Sequence, residues 1–411
     1  MRIIFLSEKF YPENVGGAEM VVYRLAKELT ARGHKVQIIA ATADKSKAAV
    51  SEFDNLKIYR LYSNIPKICR NYLGICNFFI LPKIKKIFKA EKPDIVHAQL
   101  INAQISFAVL RLAKKSGAKV FYTAHDVITF SDGKLVRFRK SAGLPKNLKY
   151  KLSPFDLFRQ SKFSFNPWRN FCIRRYLKYC DKIFAVSEAL KTALVENGIA
   201  KVQTIYNGVD LAEFKVGEEA VNALIKKFRL QNKKIIFFGG RISISKGAGL
   251  IVPILKKVVA KVPDAVLLVA GVKNNATKLI EQQAAEQGIG DKIICIGWLS
   301  GDELKAAYQC SAVCITPSIC FDTFNLTNIE AAAFSVPVVG TCFGGTPEVV
   351  DDGKTGYIAN PFDAADYAEK ITTLLTDENK RSQFGQAARR RAQEIFSLKK
   401  QADLTIAQYQ K

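Results

Sequence analysis

Short apolar runs alternate with amphipathic segments along almost the whole chain, and that alternation restricts the fold more than any other feature. RIIFL (2–6), KVQIIA (35–40), DIVHA (94–98), KVFYTAH (119–125), KIFAVS (182–187) and VQTIYNG (202–208) form one set. KKIIFFGG (233–240), AVLLVAG (265–271), KIICIGW (292–298), AVCITPS (312–318), VPVVGT (336–341) and GYIAN (356–360) form a second. Runs this short and apolar read as buried strands. A segment such as AEMVVYRLAKELTARG (18–33), apolar at helical spacing and closed by Gly33, reads as a helix between two of them. Strand–helix alternation gives parallel sheets. At 411 residues the chain is too long for one ordinary core. The two sets therefore predict two successive doubly wound α/β halves, with a linker near Leu211–Glu219 and ligands outside the carboxyl ends of the strands.

Several chemistries are disfavoured. Neither half contains G-x-G-x-x-G, so a dinucleotide coenzyme is not expected. No D-x-D occurs and no His/Asp/Glu cluster has metal spacing, so no metal cofactor is expected. Nine cysteines lie scattered without a C-x-x-C pair and read as reduced, mostly buried thiols of a cytosolic protein. MRIIFLSEKFYP turns polar at Ser7, too soon for a signal peptide, and no apolar stretch is long enough to span a membrane. YLGICNFFILPKIKKIF (72–88) is amphipathic and reads as interfacial.

Four stretches carry candidate chemistry. GGRISISKG (239–247) follows a strand directly: Gly239 and Gly240 allow close backbone approach, and Arg241 and Lys246 bring two cations to one loop, as a diphosphate requires. A solvated βα loop is the plainer alternative. NVGGAEM (14–20) sets Gly16 and Gly17 just before a helix N-terminus, an anion-binding arrangement that a simple tight turn explains equally well. YTAHD (122–126) puts His125 and Asp126 at a strand's carboxyl end, and His97 stands similarly in DIVHAQ. In FDTFNLTNIEAAAFSVPVVG (321–340), Asp322 precedes a helix start and Glu330 lies in its second turn. Capping of the helix start and compensation of its dipole explain such a pair of acids equally well without any ligand.

Taken in order, these pieces resemble the retaining GT-B glycosyltransferases of family 4 (glycosyl transferases group 1). The resemblance rests on GG-A-E in the first turn, HD in mid-domain, AVSEALKTALVENGI, IYNGVDLAEF, FFGGRISISKG, and TPS…E…PVVGT…GGTPEVVDDGKTGYI. It implies a GT-B architecture of two Rossmann-like domains facing a central cleft. An acceptor-side domain would span 1–215, a nucleotide-sugar domain 216–385, and a helix in 386–411 would return to the first domain. It implies that Glu330 holds the donor ribose and that Asp322 sits by the donor sugar with the N–H groups near Asn325 and Leu326. Arg241 and Lys246 would neutralise the departing diphosphate beside Gly240. Gly16 and Gly17 would close on that group, and His125 would lie near the sugar. Retention of anomeric configuration comes from the resemblance alone. The chain departs from the family at position 322, Asp for the usual Glu, and at 325, Asn for the usual Gly.

The resulting expectation is a hexosyl or N-acetylhexosaminyl transferase using a UDP- or GDP-linked sugar without a metal. A binding or scaffold protein with a degenerate cleft is the competing class, which the departures at Asp322 and Asn325 permit. A nucleotide-sugar epimerase or a phosphorylase is a third. Charge bears on the acceptor. The formal net charge is +25, and residues 1–215 hold 38 basic and 17 acidic residues against 24 and 20 in 216–411. Residues 131–180 alone hold 13 basic and 2 acidic, interleaved with aromatics. This pattern points to an anionic membrane surface and a glycan or lipid-linked acceptor at its cytosolic face. Generic solubility charge ranks second, and no nucleic acid is expected despite the stacking potential of the aromatics.

Overall fold

The computed structural model describes residues 1–12, 16–135, 143–145 and 148–411. Asn14 and Val15 of the glycine turn, and the VRFRK run (136–140) with Lys146 of the basic segment, lie outside the described residues. The chain divides into two compact units. One holds Met1–Leu135, Lys149–Gly208 and Leu398–Lys411; the other holds Val209–Ser397 and the described residues between 143 and 148.

The first unit is built on β1 (Arg2–Ser7), β2 (Lys35–Thr42), β3 (Val50–Phe53), β4 (Leu56–Tyr62), β5 (Ile95–Leu100), β6 (Lys119–Ala124), β7 (Lys182–Ala185) and β8 (Val202–Thr204). Their order is β3-β4-β2-β1-β5-β6-β7-β8, parallel except for the β3–β4 pair. The chain therefore works outward from β1 in one direction and then returns to its other side, which puts the topological switch between β1 and β5. The β3–β4 hairpin has no counterpart in the sequence reading. Asp54 and Asn55, at φ of 48° and 61°, make the two-residue turn that matches strand twist, and both residue types tolerate the left-handed region.

The second unit holds β9 (Lys234–Gly239), β10 (Ala265–Ala270), β11 (Ile293–Gly297), β12 (Val313–Thr316), β13 (Val338–Thr341) and β14 (Gly356–Ala359). Every pairing in its sheet is parallel, in the order β11-β10-β9-β12-β13-β14, so the switch lies between β9 and β12. All six positions of β10 are buried, as expected of a strand covered on both faces.

The chain divides after Gly208 and Ser397, where the sequence reading drew boundaries at 215 and 385. Residues 386–395 belong to the helix Glu378–Ile395 of the second unit. Its Gly385 lies so close to Ser335 that a Cβ there would meet the carbonyl oxygen, and Arg391 donates to the Val349 and Glu348 carbonyls. Only the next helix, Leu398–Gln410, joins the first unit. Ala402 and Tyr409, seven positions apart, fall on one face of it and enter the core with Phe121 and Phe184. Gln401 Oε1 accepts from Gly208 N–H at 2.9 Å, and Arg32 reaches Asp403 at 2.5 Å.

Candidate functional site

In the second unit, the loops leaving β9 and β12 diverge from the switch point and are joined to each other. Ile319 N–H donates to the Ser245 carbonyl at 3.0 Å. Gly247 has φ of 90°, and a Cβ there would stand 2.1 Å from the Pro317 carbonyl oxygen, so only glycine lets the loops approach this closely. Gly240, at φ of 107°, turns the chain out of β9, and Arg241 emerges exposed to solvent. Lys246 lies half-buried in the turn Ile244–Lys246.

Lys246 Nζ donates to Asp322 Oδ2 at 2.5 Å, and the same oxygen accepts from Ser318 Oγ at 3.1 Å. Asp322 is buried, and its carbonyl accepts from Gly345 N–H at 2.8 Å. Gly344, at φ of 77°, allows that contact, because a Cβ would sit 2.2 Å from the same carbonyl. The lysine that the sequence reading grouped with Arg241 thus has a carboxylate as its nearest charged partner.

Asn325 caps the helix Leu326–Ala333, its Oδ1 accepting from Thr327 N–H at 3.2 Å. Leu326 opens the first turn, at the positive end of the helix dipole. Glu330 lies one turn in, where Tyr308 O–H donates to its Oε2 at 2.8 Å. Tyr308 is buried between Phe237 and Phe334, and burial first, then the Glu330 charge, holds its phenol well above the ordinary value. It therefore acts as a donor that fixes one carboxylate oxygen. The helix is anchored below by the buried Asn328, which accepts from Thr316 Oγ1 at 3.0 Å and donates to Thr346 Oγ1 at 3.4 Å. Arg241, Lys246, Asp322, Asn325, Leu326 and Glu330 thus belong to two adjoining loops and one helix at a single sheet edge. Tyr308, which orients Glu330, was not found by sequence reasoning. It lies 22 residues upstream on another helix, and no local pattern marks it.

In the first unit, Gly16 is the N-cap of the helix Gly17–Ala31 and makes no side-chain cap bond. Glu19 folds back over it: a Cβ on Gly16 would stand 2.4 Å from Glu19 Oε2. An acid from the helix itself already attends the positive end on which the anion reading relied. His125 follows β6 and is partly exposed, with its Nε2 2.7 Å from Gln99 Oε1. An amide oxygen only accepts, so the His125 proton resides on Nε2. Gln99 Nε2 lies 3.3 Å from His97 Nε2, and buried His97 meets Thr123 Oγ1 at 2.7 Å and Tyr409 O–H at 2.5 Å. A continuous polar chain runs from the C-terminal helix to His125. Beside it, Asp126 accepts from Ile128 N–H at 2.9 Å and Asn102 Nδ2 at 3.1 Å. Burial pushes the Asp126 carboxyl up.

Burial lowers His125 to about 4 and His97 to about 3 from the ordinary 6.5. The unfolded chain therefore takes up protons below pH 6.5 that the folded state refuses. The histidine contribution to stability is complete above that pH and falls as the solution is acidified towards pH 4. Denaturant titrations across pH 4–7 are expected to show the difference between the parent protein and His97→Gln changing by up to about 1.4 kcal/mol per pH unit. A difference independent of pH contradicts a buried neutral His97.

Two doubly wound units, one sheet parallel throughout and the other parallel except for its β3–β4 edge, are the GT-B class of glycosyltransferase fold. HepE of Anabaena, solved with UDP, superposes with a TM-score of 0.74 over 99% of each chain at 18% identity. Residues 221–391 match glycosyl transferases group 1 and residues 15–213 match glycosyltransferase family 4, and the chain belongs to this family. Spore coat protein SA of Bacillus subtilis is 29% identical over 225 residues, which cover 52% of this chain and 59% of that protein. A GDP-mannose-dependent alpha-mannosyltransferase of Corynebacterium glutamicum is 25% identical over 393 residues, 94% of this chain and 84% of that one.

Proposed function

We propose that this glycosyltransferase moves a hexose or N-acetylhexosamine from a UDP- or GDP-linked donor to a glycan or lipid-linked acceptor at the cytosolic face of a membrane, with retention of configuration and without a metal. The carrying observation is the cluster at the β9–β12 switch: one exposed arginine, one lysine paired to Asp322, a capped helix start, and Glu330 oriented by Tyr308. The UDP-bound neighbour and the GDP-mannose-dependent relative support a nucleotide sugar as donor. Retention is supported by the family resemblance alone.

The chemistry follows from charge. Breaking the bond between the sugar carbon and the diphosphate builds negative charge on the leaving oxygens, and fixed cations stabilise it without reorganisation. Arg241 supplies a planar fork and Lys246 a point charge. As the donor arrives, Lys246 Nζ exchanges or shares its bond to Asp322, which places that carboxylate next to the sugar. Glu330, with one oxygen held by Tyr308, offers the other to ribose hydroxyls. His125, held through Nε2 by Gln99, is assigned to the neighbourhood of the donor sugar, and Gly16–Gly17 are assigned to the diphosphate.

Incubation with a panel of UDP-, GDP- and ADP-sugars, read as release of nucleoside diphosphate, tests the reading. Release from none of them, alongside intact binding of the free nucleotide, turns the assignment to a binding protein with a disabled donor cleft. Two variants separate the ends of the donor. Glu330→Gln is expected to weaken free nucleoside diphosphate roughly 10- to 100-fold, the value of a charged hydrogen bond. Asp322→Asn is expected to leave that affinity within about threefold while lowering sugar transfer, since its contact is with the sugar. Titration calorimetry showing equal losses in the two variants contradicts the assignment.

A further inference from the structure

We propose that the first unit docks on anionic bilayers through a platform formed by residues 67–89 and 154–178, aromatic side chains seated at headgroup level and basic side chains on the lipid phosphates. This deepens, and rests on, the reading of a membrane-borne acceptor. The two stretches are distant in sequence but tied together. Asn71 Nδ2 donates to the Ser164 carbonyl at 3.0 Å, Tyr72 O–H to the Phe165 carbonyl at 3.2 Å, and Asn166 Nδ2 to the Asn71 carbonyl at 2.9 Å.

From this shared base Ile68, Phe78, Phe79, Phe155, Phe163 and Trp168 are each more than half exposed, Phe163 entirely so. Single exposed apolar residues are ordinary, but a concentration on one pair of joined segments marks an interaction surface. The helix Leu81–Glu91 shows how the surface is divided. It buries Ile84 and Phe88 and leaves Lys83, Lys85, Lys86 and Lys89 to solvent, while the Phe78–Phe79 pair protrudes at its entry.

Charge selects the occupant. Residues 67–89 contain six basic residues and no acidic one, and residues 154–178 contain six basic and one acidic, with Arg169 alone of those six buried, paired to Asp132. That single acid, Asp156, is committed to a capping box with Ser153. Exposed rings ringed by uniformly positive charge complement a negative, laterally continuous surface with an apolar interior, which is a bilayer of anionic lipid. Among the described residues no helix is long and apolar enough to cross a membrane, so the contact is at the interface.

The test uses the full chain with phosphatidylcholine vesicles, with and without phosphatidylglycerol, at low and high salt. Co-sedimentation is expected with the anionic vesicles, with a residual part surviving high salt because seated rings are not screened. In a Trp298→Phe background, Trp168 fluorescence is expected to shift to the blue on those vesicles. The triple variant Phe79→Ser, Phe163→Ser, Trp168→Ser is expected to lose vesicle affinity at least about tenfold with an unchanged melting curve. Lys85→Glu with Lys86→Glu is expected to lose the salt-sensitive part. Equal binding to neutral and anionic vesicles, full binding by the triple variant, or retention on polynucleotide but not on vesicles overturns the platform. Nucleotide release measured without vesicles separates the two proposals: the triple variant is expected to retain it. A protein that releases nucleotide from no sugar donor yet still docks on vesicles refutes the transferase reading and leaves the platform standing.

Discussion

Lys246→Ala and Arg241→Ala are each expected to lower turnover by about 2–4 kcal/mol in the barrier, roughly 30- to 1,000-fold, with a smaller effect on the Michaelis constant. The reason lies in when their charge is needed: the diphosphate gains charge only as the sugar carbon departs, so a fixed cation is worth more at the transition state than in the ground state. The structure adds a consequence for Lys246 alone. Its Nζ is the cation on Asp322 Oδ2, at 2.5 Å, and that carboxylate is buried. Lys246→Ala therefore also strands a carboxylate and is expected to cost about 1–3 kcal/mol of stability, which Arg241→Ala, at an exposed position, does not. Combining Lys246→Ala with Asp322→Asn removes the stranded charge and is expected to restore stability while leaving turnover low. Single-turnover kinetics with urea titrations on the same four proteins decide the matter. Unchanged rates in both alanine variants sink the diphosphate assignment. A double variant that regains its rate assigns the loss to misfolding of the loop.

Tyr409→Ala is expected to destabilise the first unit by about 3–5 kcal/mol, the largest stability effect of any single truncation considered. Tyr409 is 1% exposed, its ring lies against Phe121 and His97, and its hydroxyl meets His97 Nδ1. It comes from the last helix, Leu398–Gln410, so its loss cuts the anchor of a terminal element as well as opening a cavity. Tyr409→Phe keeps the packing and removes only the hydroxyl, leaving His97 short of a partner, for about 1–3 kcal/mol. Because His97 contacts Gln99, and Gln99 holds His125, the Phe variant is also expected to alter the ring-nitrogen signals of His125 by NMR. A cost below about 1 kcal/mol for Tyr409→Ala refutes the view that this helix is integral to the first unit.

The two-unit α/β plan was legible because strand and helix periods are local properties. Each of the strands β9 to β14 coincides with a run read directly from hydropathy. The make-up of the loop at Gly240, Arg241 and Lys246 was legible for the same reason: a glycine pair and two cations stand within GGRISISKG directly after a strand. The hairpin at 50–62 was missed because VSEF and LKIYRLY show burial too irregular to stand out as strands. The C-terminal boundary slipped because 386–408 is helical throughout except at Phe396 and Ser397. What ends the helix there is tertiary: Phe396 is buried, and Ser397 pairs with Val209, residues with no shared sequence signal.

By itself the sequence determined the periodicity, the positions of the turns, the excess of positive charge in the first half, and which residue types stand at strand ends. Those follow from side-chain chemistry acting over a few residues. Only the tertiary structure decided the partners. Lys246 and Asp322 lie 76 residues apart, Tyr308 and Glu330 lie 22 apart, and His97 and Tyr409 lie 312 apart. Each pair exists because strand order brings one loop or helix against another, and burial then obliges a charge or hydroxyl to find whatever partner stands there. A short stretch of chain can specify that Lys246 is a cation beside a glycine turn. Whether its first counter-charge is Asp322 or a ligand phosphate depends on the meeting of β9 and β12, which no single stretch contains.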